Sequence, residues 1–339
     1  MLLDVQLDGR PDRAARRARE LTEAGVAGLF TFEGPHDVFL PLAAAAGAVE
    51  TDLMTNVAIA IPRSPMHLAH AAYDLQLLSR GRFRLGLGSQ IRPHIERRYG
   101  ATWSRPAARM REAVLAVKAI LTSWQDGTPL DFRGEFTQHT LMPPTFVPGP
   151  NPYGVPPVLL GALGPVMTRT AAEVADGLLV MPFHSHRHVR ERTLPAVDEG
   201  LARAGRTRAD LAIVPQAIVA MGRTADELAR ATTGVRGLLA FYGSTPAYLP
   251  VLEVEGWAEV QPELHRLSKQ GDWAAMLGLV TDEMVETLAV RGTPEECAAE
   301  IERRFGDLAE RVCCYFPGYD APLGQIGDLA AALARVSAG

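Results

Sequence analysis

The sequence has few cysteines, no long apolar run and no excess of basic residues. Its three cysteines, Cys297, Cys313 and Cys314, have neither the number nor the spacing of a disulfide framework or a zinc site. We therefore expect buried thiols and no metal. No apolar run approaches the roughly 18 residues of a membrane-spanning helix, which argues against a membrane protein. A net charge of −5 argues against a nucleic-acid partner, which would need a basic face.

The amino terminus also lacks a basic leader followed by an apolar stretch, so we expect a soluble, cytoplasmic protein. The chain has 339 residues, of which 47% are hydrophobic and 22% are charged. These proportions are typical of a globular protein, and they allow a large core to be buried without disulfides or a metal.

Short apolar runs alternate with amphipathic stretches along the chain, the order expected of a parallel sheet with crossover helices. The predicted strands are residues 2–7, 27–32, 55–62, 82–88, 157–161, 177–181, 211–220 and 311–316. The main predicted helices are residues 11–24, 37–50, 65–79, 104–124, 165–175, 186–204, 224–240, 294–305 and 323–337. This alternation predicts an α/β fold, a (β/α)8 TIM barrel that forms one domain over residues 1–339.

Two segments interrupt the alternation. Residues 125–156 contain seven prolines and four glycines, which a regular helix or ladder does not tolerate. Residues 241–285 are aromatic, interrupted by proline and helical in part. We interpret both segments as insertions at the carboxyl-terminal face of the barrel, and we expect them to determine substrate specificity. The aromatic side chains of the second insertion favour a largely nonpolar pocket.

The loop after the second predicted strand has the clearest candidates for proton transfer. Glu33, His36 and Asp37 fall within five residues at the end of that strand, where barrel enzymes carry functional residues. A carboxylate and an imidazole suit this chemistry because burial can bring their pKa values near neutrality. We expect Glu33 and His36 to be catalytic. Asp37 is a candidate substrate contact, although it could instead cap the following helix.

Further candidates follow the third to sixth strands. Gly86 and Gly88 remove side chains from a strand, which would let a flat ring approach the backbone, although strand packing would explain them equally well. Ser89 and Gln90 then offer a hydroxyl and an amide to a phosphate or a ring carbonyl. His94 and His184 are candidate substrate contacts, with solvated loop residues as the alternative.

A turn of small residues follows the fifth predicted strand. Gly161, Ala162, Leu163 and Gly164 stand directly before a helix begun by Pro165. Free backbone N–H groups at a helix amino terminus bind anions, so this turn predicts a phosphate site. A tight turn that requires glycine is the alternative.

Three motifs occur in order along this part of the chain. They are Arg-x-Pro at 63–65, Leu-Ser-x-Gly-Arg-x-x-Leu-Gly-x-Gly at 78–88, and Gly-Pro-x-Met followed by Ala-Asp-Gly between 164 and 177. On these motifs the chain resembles the bacterial-luciferase-like superfamily. That superfamily holds flavin-dependent monooxygenases and oxidoreductases that use the deazaflavin coenzyme F420.

The resemblance implies a ring over the third and fourth strands, against a bulge with a non-proline cis peptide that we place at Val57–Ala58. It also implies that the phosphate lies at the turn after the fifth strand. The residues expected to hold the cofactor are Val57, Ala58, Ser89, Gln90, Ala162, Leu163, Gly164 and Val166.

Two departures bear on the choice of cofactor. FMN monooxygenases similar to luciferase carry histidine directly after the glutamate of the second strand, whereas this chain has Gly34. The loop after the second predicted strand is more similar to that of the deazaflavin subgroup. Coenzyme F420 is therefore the expected cofactor, and FMN is the alternative. Some deazaflavin enzymes, however, carry a glutamate after the fourth strand where this chain has Gln90.

The arginines near the carboxyl-terminal face of the barrel favour the same cofactor. Guanidinium groups at Arg63, Arg92, Arg97 and Arg98 would suit the anionic glutamyl tail of F420, although a solvated helix face is the alternative reading. We expect hydride transfer between F420 and a small, largely nonpolar organic substrate, by a protein that forms a homodimer as relatives often do.

Two other functions stay open. The run His184-Ser185-His186-Arg187-His188 could bind a divalent ion in a barrel hydrolase, although no ligands from other strands are evident. A flavin-binding protein without turnover is the third reading.

Overall fold

The computed structural model describes residues 1–7 and 9–337. Its strands are β1 (Leu2–Gln6), β2 (Gly28–Thr31), β3 (Asp52–Thr55), β4 (Ala58–Ile59), β5 (Phe83–Gly88), β6 (Phe132–Arg133), β7 (Gln138–His139), β8 (Val158–Ala162), β9 (Gly177–Val180), β10 (Ala212–Val214), β11 (Gln216–Met221), β12 (Val290–Gly292) and β13 (Arg311–Tyr315).

Helices follow most of these strands. They are α1 (Pro11–Glu23), α2 (Leu40–Ala46), α3 (Pro65–Leu78), α4 (Arg92–Arg97), α5 (Pro106–Asp126), α6 (Pro165–Val174), α7 (His186–His188), α8 (Leu194–Arg203), α9 (Ala225–Gly243), α10 (Leu249–Glu255), α11 (Val260–Gln270), α12 (Trp273–Leu279), α13 (Asp282–Leu288), α14 (Pro294–Phe305) and α15 (Leu323–Val336). None of the helices in the described part of the chain is both long and apolar enough to cross a membrane.

The parallel sheet closes on itself. Its strands lie in the order β10, β9, β8, β5, β3, β2, β1, β13, β11 and β12. Strand β10 pairs with β9, whereas β11 pairs with β13. Only Pro215 separates β10 from β11, so the two act as one strand and complete a ring of eight. This arrangement confirms the predicted (β/α)8 barrel, and the carboxyl ends of all its strands meet at one rim.

The inside of the barrel is apolar towards the rim and charged in its lower part. One cluster of inward-facing side chains consists of Phe30, Met54, Leu159, Leu179, Val214 and Cys313, with Val57 and Tyr315 packed on it. Below it, the Arg311 side chain lies 3.0 Å from an Asp4 carboxylate oxygen and 2.8 Å from one of Asp52. Burial raises the pKa of Asp4 to about 6 despite the neighbouring Arg311.

The third barrel strand begins earlier than predicted. The expected strand was 55–62, but β3 starts at Asp52 and pairs with β2 in the register Gly28 with Asp52. Asp52, the first residue of this strand, is acidic and lies outside the predicted strand. Its carboxylate can lie in the barrel because Arg311 and Arg84 neutralise it. The strand then stops at Thr55 and resumes as β4 at Ala58. Residues 56 and 57 therefore form a break in this strand, which we call the strand-3 break.

The two irregular segments differ in structure. Residues 127–157 contain the β6–β7 hairpin and lie against α3 and α5, where the Tyr73 hydroxyl donates to the Gly149 carbonyl at 2.6 Å. Residues 244–289 are largely helical, and α10 to α13 form a second apolar cluster with α9 and β11. The short strand β12 extends the sheet beside β11 and was not predicted, nor was α4. The role of these segments in specificity stays a prediction.

Candidate active site

Glu33 lies at the rim with both carboxylate oxygens occupied. Its Oε2 accepts hydrogen bonds from the Ile59 backbone N–H at 2.9 Å and from Arg63 at 2.6 Å. Its Oε1 accepts one from the Tyr99 hydroxyl at 2.7 Å. The carboxylate is only 6% exposed. Glu33 therefore holds β4 in place, and it makes no hydrogen bond with His36 within the described residues; the catalytic role expected of these two residues stays a prediction.

Two arginines and a tyrosine surround this carboxylate. Arg63 also donates to the Ile59 carbonyl at 2.8 Å. It therefore holds the end of the third barrel strand both directly and through Glu33. Arg98 donates to the Gly34 carbonyl at 2.7 Å and stacks 5.0 Å from the Tyr99 ring centroid. Burial, followed by the Glu33 carboxylate, raises the pKa of Tyr99 to about 12. We call Glu33, Arg63, Arg98 and Tyr99 the lip network.

The expected arginine cluster is largely committed to these and other contacts. Arg63 and Arg98 belong to the lip network, and Arg92 pairs with Glu96 on α4. Arg97 is exposed and makes no side-chain hydrogen bond or ion pair within the described residues. Of the four candidate arginines, only Arg97 therefore has no side-chain partner within the described residues. The other three could meet an anionic tail only with the parts of their guanidinium groups that these contacts leave exposed.

The other two candidates in the loop after β2, Asp37 and His36, have different surroundings. Asp37 Oδ1 accepts hydrogen bonds from the backbone N–H groups of Phe39 and Leu40 at 2.8 and 2.9 Å. Asp37 thus caps the start of α2, the alternative that the sequence left open, and its contact with a substrate stays a prediction. His36 is exposed and makes no hydrogen bond or ion pair within the described residues, so its ring is available to a molecule at the rim.

The strand-3 break contains the non-proline cis peptide at Asn56–Val57. This position is one residue before the predicted Val57–Ala58 bond. The side chain of Val57 packs on the interior cluster of the barrel. Ala58 is fully buried in the main core cluster, and its expected contact with the cofactor stays a prediction.

The glycines of β5 serve strand packing. A Cβ on Gly86 would lie 2.0 Å from the Thr55 carbonyl oxygen, and one on Gly88 would lie 2.4 Å from Val57 Cγ2. These close contacts support strand packing as the reason for glycine at both positions. The space beside Gly88 is filled by Val57, so a ring at this rim would rest against Val57 rather than on bare strand backbone.

The end of β5 turns sharply at Gln90, whose φ of 60° lies in the left-handed region. The Gln90 side-chain oxygen accepts from the Ile91 N–H at 3.1 Å, which stabilises that conformation. The Ser89 hydroxyl donates to the Gln90 carbonyl at 3.1 Å. Both side chains are half-buried, as is His94 on α4. Ser89 and Gln90 lie in the turn after β5, and α4 with His94 follows it directly; the roles expected of these three residues stay predictions.

The turn after β8 has the open backbone that the sequence predicts. Gly164 stands immediately before α6, and a Cβ placed there would meet nothing within 4 Å among the described residues. Gly164 has no side chain to cap α6, and the first N–H groups of a helix have no partner within it. Val166 in the first turn is 55% exposed. We call residues 161–166 the α6 cradle.

The other residues of the cradle are partly used by the fold. The Ala162 carbonyl accepts from the Met181 N–H at 3.0 Å, and its side chain is 6% exposed. Leu163 packs against the helical cluster of α9 to α13. A Cβ on Gly161 would lie 3.2 Å from Val57 Cγ1, so the cradle and the strand-3 break are neighbours.

His184 does not face the rim as expected. It is 3% exposed, its Nε2 lies 3.0 Å from the Gln216 carbonyl oxygen, and its ring stacks edge-on against Phe305. Burial lowers the pKa of His184 to about 3 and that of His188 to about 4. An enclosed neutral imidazole cannot contact a substrate, which corrects this candidate. Within the described residues, no three His, Cys, Asp or Glu side chains form a group that could hold a metal ion.

Three residues near the site were missed from the sequence. Tyr99 contacts Glu33 from 66 positions away, a separation that no local pattern reveals. Tyr315 and Gln216 point into the barrel, with the Tyr315 hydroxyl 2.7 Å from Gln216 Oε1. Tyr315 ends β13, within the predicted strand 311–316, so its position at the end of the eighth barrel strand is the signal that identifies it.

Comparisons with known proteins give a consistent result. A sequence model of the family described as luciferase-like monooxygenase matches residues 3–310. The uncharacterized protein Rv1360 of Mycobacterium tuberculosis is 47% identical over 315 residues, 93% of each chain. The 5,10-methylenetetrahydromethanopterin reductase of Archaeoglobus fulgidus is 32% identical over 245 residues, which cover 70% of this chain and 68% of that protein.

Among solved structures, the coenzyme F420 dependent tetrahydromethanopterin reductase of Methanopyrus kandleri superimposes with a TM-score of 0.78. The alignment covers 97% of this chain and 96% of that chain at 20% sequence identity. At that identity, the likeness shows the fold.

Proposed function

The chain belongs to the luciferase-like monooxygenase family, and from that premise we propose that it is an oxidoreductase that moves hydride between coenzyme F420 and a small, largely nonpolar organic molecule. The observation that carries the proposal is the open backbone at Gly164, directly before α6. A deazaflavin supplies two electrons as hydride and does not activate oxygen, so the protein need only bind, orient and manage a proton.

The residues of the α6 cradle fit the phosphate of such a cofactor. Leu163, Gly164 and Val166 offer backbone N–H groups at the positive end of a ten-residue helix. No side chain fills the space at Gly164 among the described residues. The Ser89 hydroxyl would be a further donor, since its present acceptor is only the neighbouring Gln90 carbonyl.

The strand-3 break would support the ring. Val57 presents its side chain between Gly88 and Gly161, so its position links the ring support to the cradle. Glu33 orients this support by accepting the Ile59 N–H and holding Arg63. We assign Glu33 this positioning role rather than proton transfer.

The exposed His36 is the proposed proton donor or acceptor, and His94 is the proposed substrate contact. His36 is free of protein hydrogen bonds within the described residues, so its imidazole can exchange a proton with a bound molecule. His94 is half-buried on α4, in the loop that follows the fourth barrel strand. Both are placed where barrel enzymes carry their chemistry.

An aromatic cluster favours a nonpolar substrate. The ring centroids of Phe183 and Tyr242 are 5.9 Å apart, and those of Tyr242 and Tyr248 are also 5.9 Å apart. This cluster joins the loop after β9 to the helical insertion, which we propose as the specificity region. The single-domain organisation and a homodimer belong to the same proposal, and sedimentation velocity would test the latter.

The alternative is an FMN-dependent monooxygenase, which the description of the family favours. Titration of the purified protein with F420 and with FMN, followed by cofactor fluorescence and ultrafiltration, separates the two. We expect saturable F420 binding and much weaker FMN binding. Binding of FMN alone would favour the monooxygenase, and binding of neither would contradict the proposal.

A further inference from the structure

The Tyr315 hydroxyl crosses the inside of the barrel. It donates a hydrogen bond to Gln216 Oε1 at 2.7 Å and lies 3.3 Å from the carbonyl oxygen of Asn56. Tyr315 ends β13 and Asn56 follows β3, and two strands, β1 and β2, stand between them in the sheet. The contact therefore spans the barrel interior and reaches the strand-3 break from the opposite wall.

The surroundings of Tyr315 fix its ring and its protonation state. Its ring packs against Phe30 with centroids 4.9 Å apart, in the cluster that also includes Val57. Burial raises the pKa of Tyr315 well above its ordinary value, so the phenol stays protonated and acts as a donor. Both oxygens lie within hydrogen-bond distance of the hydroxyl, so its one proton is shared between them, and the shorter contact with Gln216 holds the hydroxyl beside the Asn56 carbonyl.

Asn56 is anchored through its main chain. Its backbone N–H donates to the Thr31 carbonyl at 2.6 Å, and its carbonyl faces Tyr315. Its side chain is 4% exposed, and the Nδ2 and Oδ1 atoms find no hydrogen-bond partner that meets ordinary geometry among the described residues. The Cys313 thiol interacts with this amide. Two backbone contacts thus hold Asn56 in the strand-3 break, one with Thr31 and one with Tyr315.

We propose that Tyr315, oriented by Gln216, is the positioning residue that sets the strand-3 break beneath the cofactor ring. This inference rests on the proposed function, because it assigns Tyr315 to the binding of the ring. The α6 cradle, by contrast, would bind the phosphate. The two contributions to cofactor affinity are therefore separable by using a deazaflavin with and without its phosphate.

The test compares F420 with its phosphate-free riboside, which contains only the ring and the ribityl chain. Tyr315→Phe keeps the ring against Phe30 and removes the hydroxyl. We expect this variant to raise the dissociation constants of both ligands about tenfold, which is the equivalent of one hydrogen bond to a fixed partner. It should also shift the visible absorption band of the bound ring. Gln216→Leu leaves the Asn56 contact of the hydroxyl in place and removes only the group that orients it, so it should weaken the binding of both ligands less than Tyr315→Phe does. The double variant should bind no more weakly than Tyr315→Phe alone, because Gln216 acts through the Tyr315 hydroxyl.

Tyr319→Phe is the matched control. The Tyr319 hydroxyl donates to the Val219 carbonyl at 2.9 Å and accepts from the Met221 N–H at 3.0 Å, away from the strand-3 break. It should lower thermal stability to a similar degree and leave both dissociation constants and the absorption band unchanged. If Tyr315→Phe behaves like this control while the wild type binds F420, the inference is wrong and the proposed function stands. If the wild type binds neither ligand, the proposed function itself fails.

Discussion

The lip network and the α6 cradle lie at the same rim but are built in opposite ways. At the lip, the Glu33 carboxylate receives hydrogen bonds from Ile59, Arg63 and Tyr99. At the cradle, Gly164 presents bare backbone with no atom within 4 Å of where its Cβ would stand, among the described residues. The lip has its charge neutralised within the protein, whereas the cradle leaves donors without a partner.

We propose that this difference separates a structural site from a binding site. A carboxylate with three donors has its interactions already satisfied, so removing it costs stability. A helix amino terminus without a cap gains most from an external anion. The charged and therefore conspicuous Glu33 is thus assigned to holding the fold, and the inconspicuous Gly164 is assigned to the ligand.

The largest expected effect comes from filling the cradle. Gly164→Asp would place a carboxylate at the start of α6, where aspartate caps the same N–H groups that the phosphate would use. We expect F420 affinity to fall about 100-fold, through competition and charge repulsion, with thermal stability unchanged or slightly raised. Fluorescence titration and thermal unfolding measure the two quantities.

The matched control for this change is Gly324→Asp in the first turn of α15, where a Cβ also meets nothing within 4 Å among the described residues. It adds the same charge at another helix start and should leave F420 affinity unaltered. An equal loss of affinity in both variants would mean that net charge, and not the cradle, governs binding.

The second effect should appear in stability. Glu33→Gln removes one half of a mostly buried ion pair, and we expect the free energy of unfolding to fall by about 2–3 kcal/mol. The exposed pair of Arg80 and Glu50 provides the control, because Glu50→Gln should change stability by less than about 0.5 kcal/mol. Urea denaturation measures both, and similar small losses would contradict the contrast between lip and surface.

The third effect concerns the pH dependence of stability that comes from the buried His184. Burial lowers the pKa of His184 to about 3, below the ordinary value of 6.5. The unfolded chain therefore binds a proton more readily below pH 6.5, and this imidazole makes stability fall as the pH falls from there towards 3. Asp4 has the opposite sign between its ordinary pKa of 3.8 and its raised pKa of about 6.

Replacing the imidazole isolates this contribution. His184→Gln should flatten the fall in unfolding free energy below pH 6.5, whereas His36→Gln, at an exposed position, should not. Urea denaturation at several pH values follows the change. An unchanged slope in His184→Gln would show that other groups control acid stability.

The smallest effect is expected for Tyr99→Phe. This change removes one of the three donors to Glu33, while Ile59 and Arg63 remain. We expect a loss of about 1 kcal/mol in unfolding free energy and little change in F420 affinity. Because the pKa of Tyr99 is raised to about 12, the hydroxyl stays protonated and the loss should not vary with pH near neutrality. A large loss of cofactor affinity would instead move Tyr99 to the ligand.

The sequence predicts the barrel and the cradle because both have local signals. Alternating apolar runs determine the strands, and the order of Gly161 to Pro165 determines a turn before a helix. The third strand was misplaced because Asp52 is neutralised by Arg311, which lies 259 positions away. Such pairing has no local pattern.

The details of the site were harder to predict for the same reason. The occupation of Glu33 depends on Tyr99, 66 positions away, and the space beside Gly88 depends on the conformation of Val57. The enclosure of His184 depends on Gln216 and Phe305 from two other elements. Residue types at strand ends therefore indicate where chemistry belongs, while only packing decides which side chains remain free.

A crystal structure of the protein with F420 tests the central claim most directly. We predict that the phosphate lies within hydrogen-bond distance of the backbone N–H groups of Gly164 and Val166, with the ring against Val57. A phosphate bound away from residues 161–166, or a ring that does not contact the strand-3 break, would contradict it.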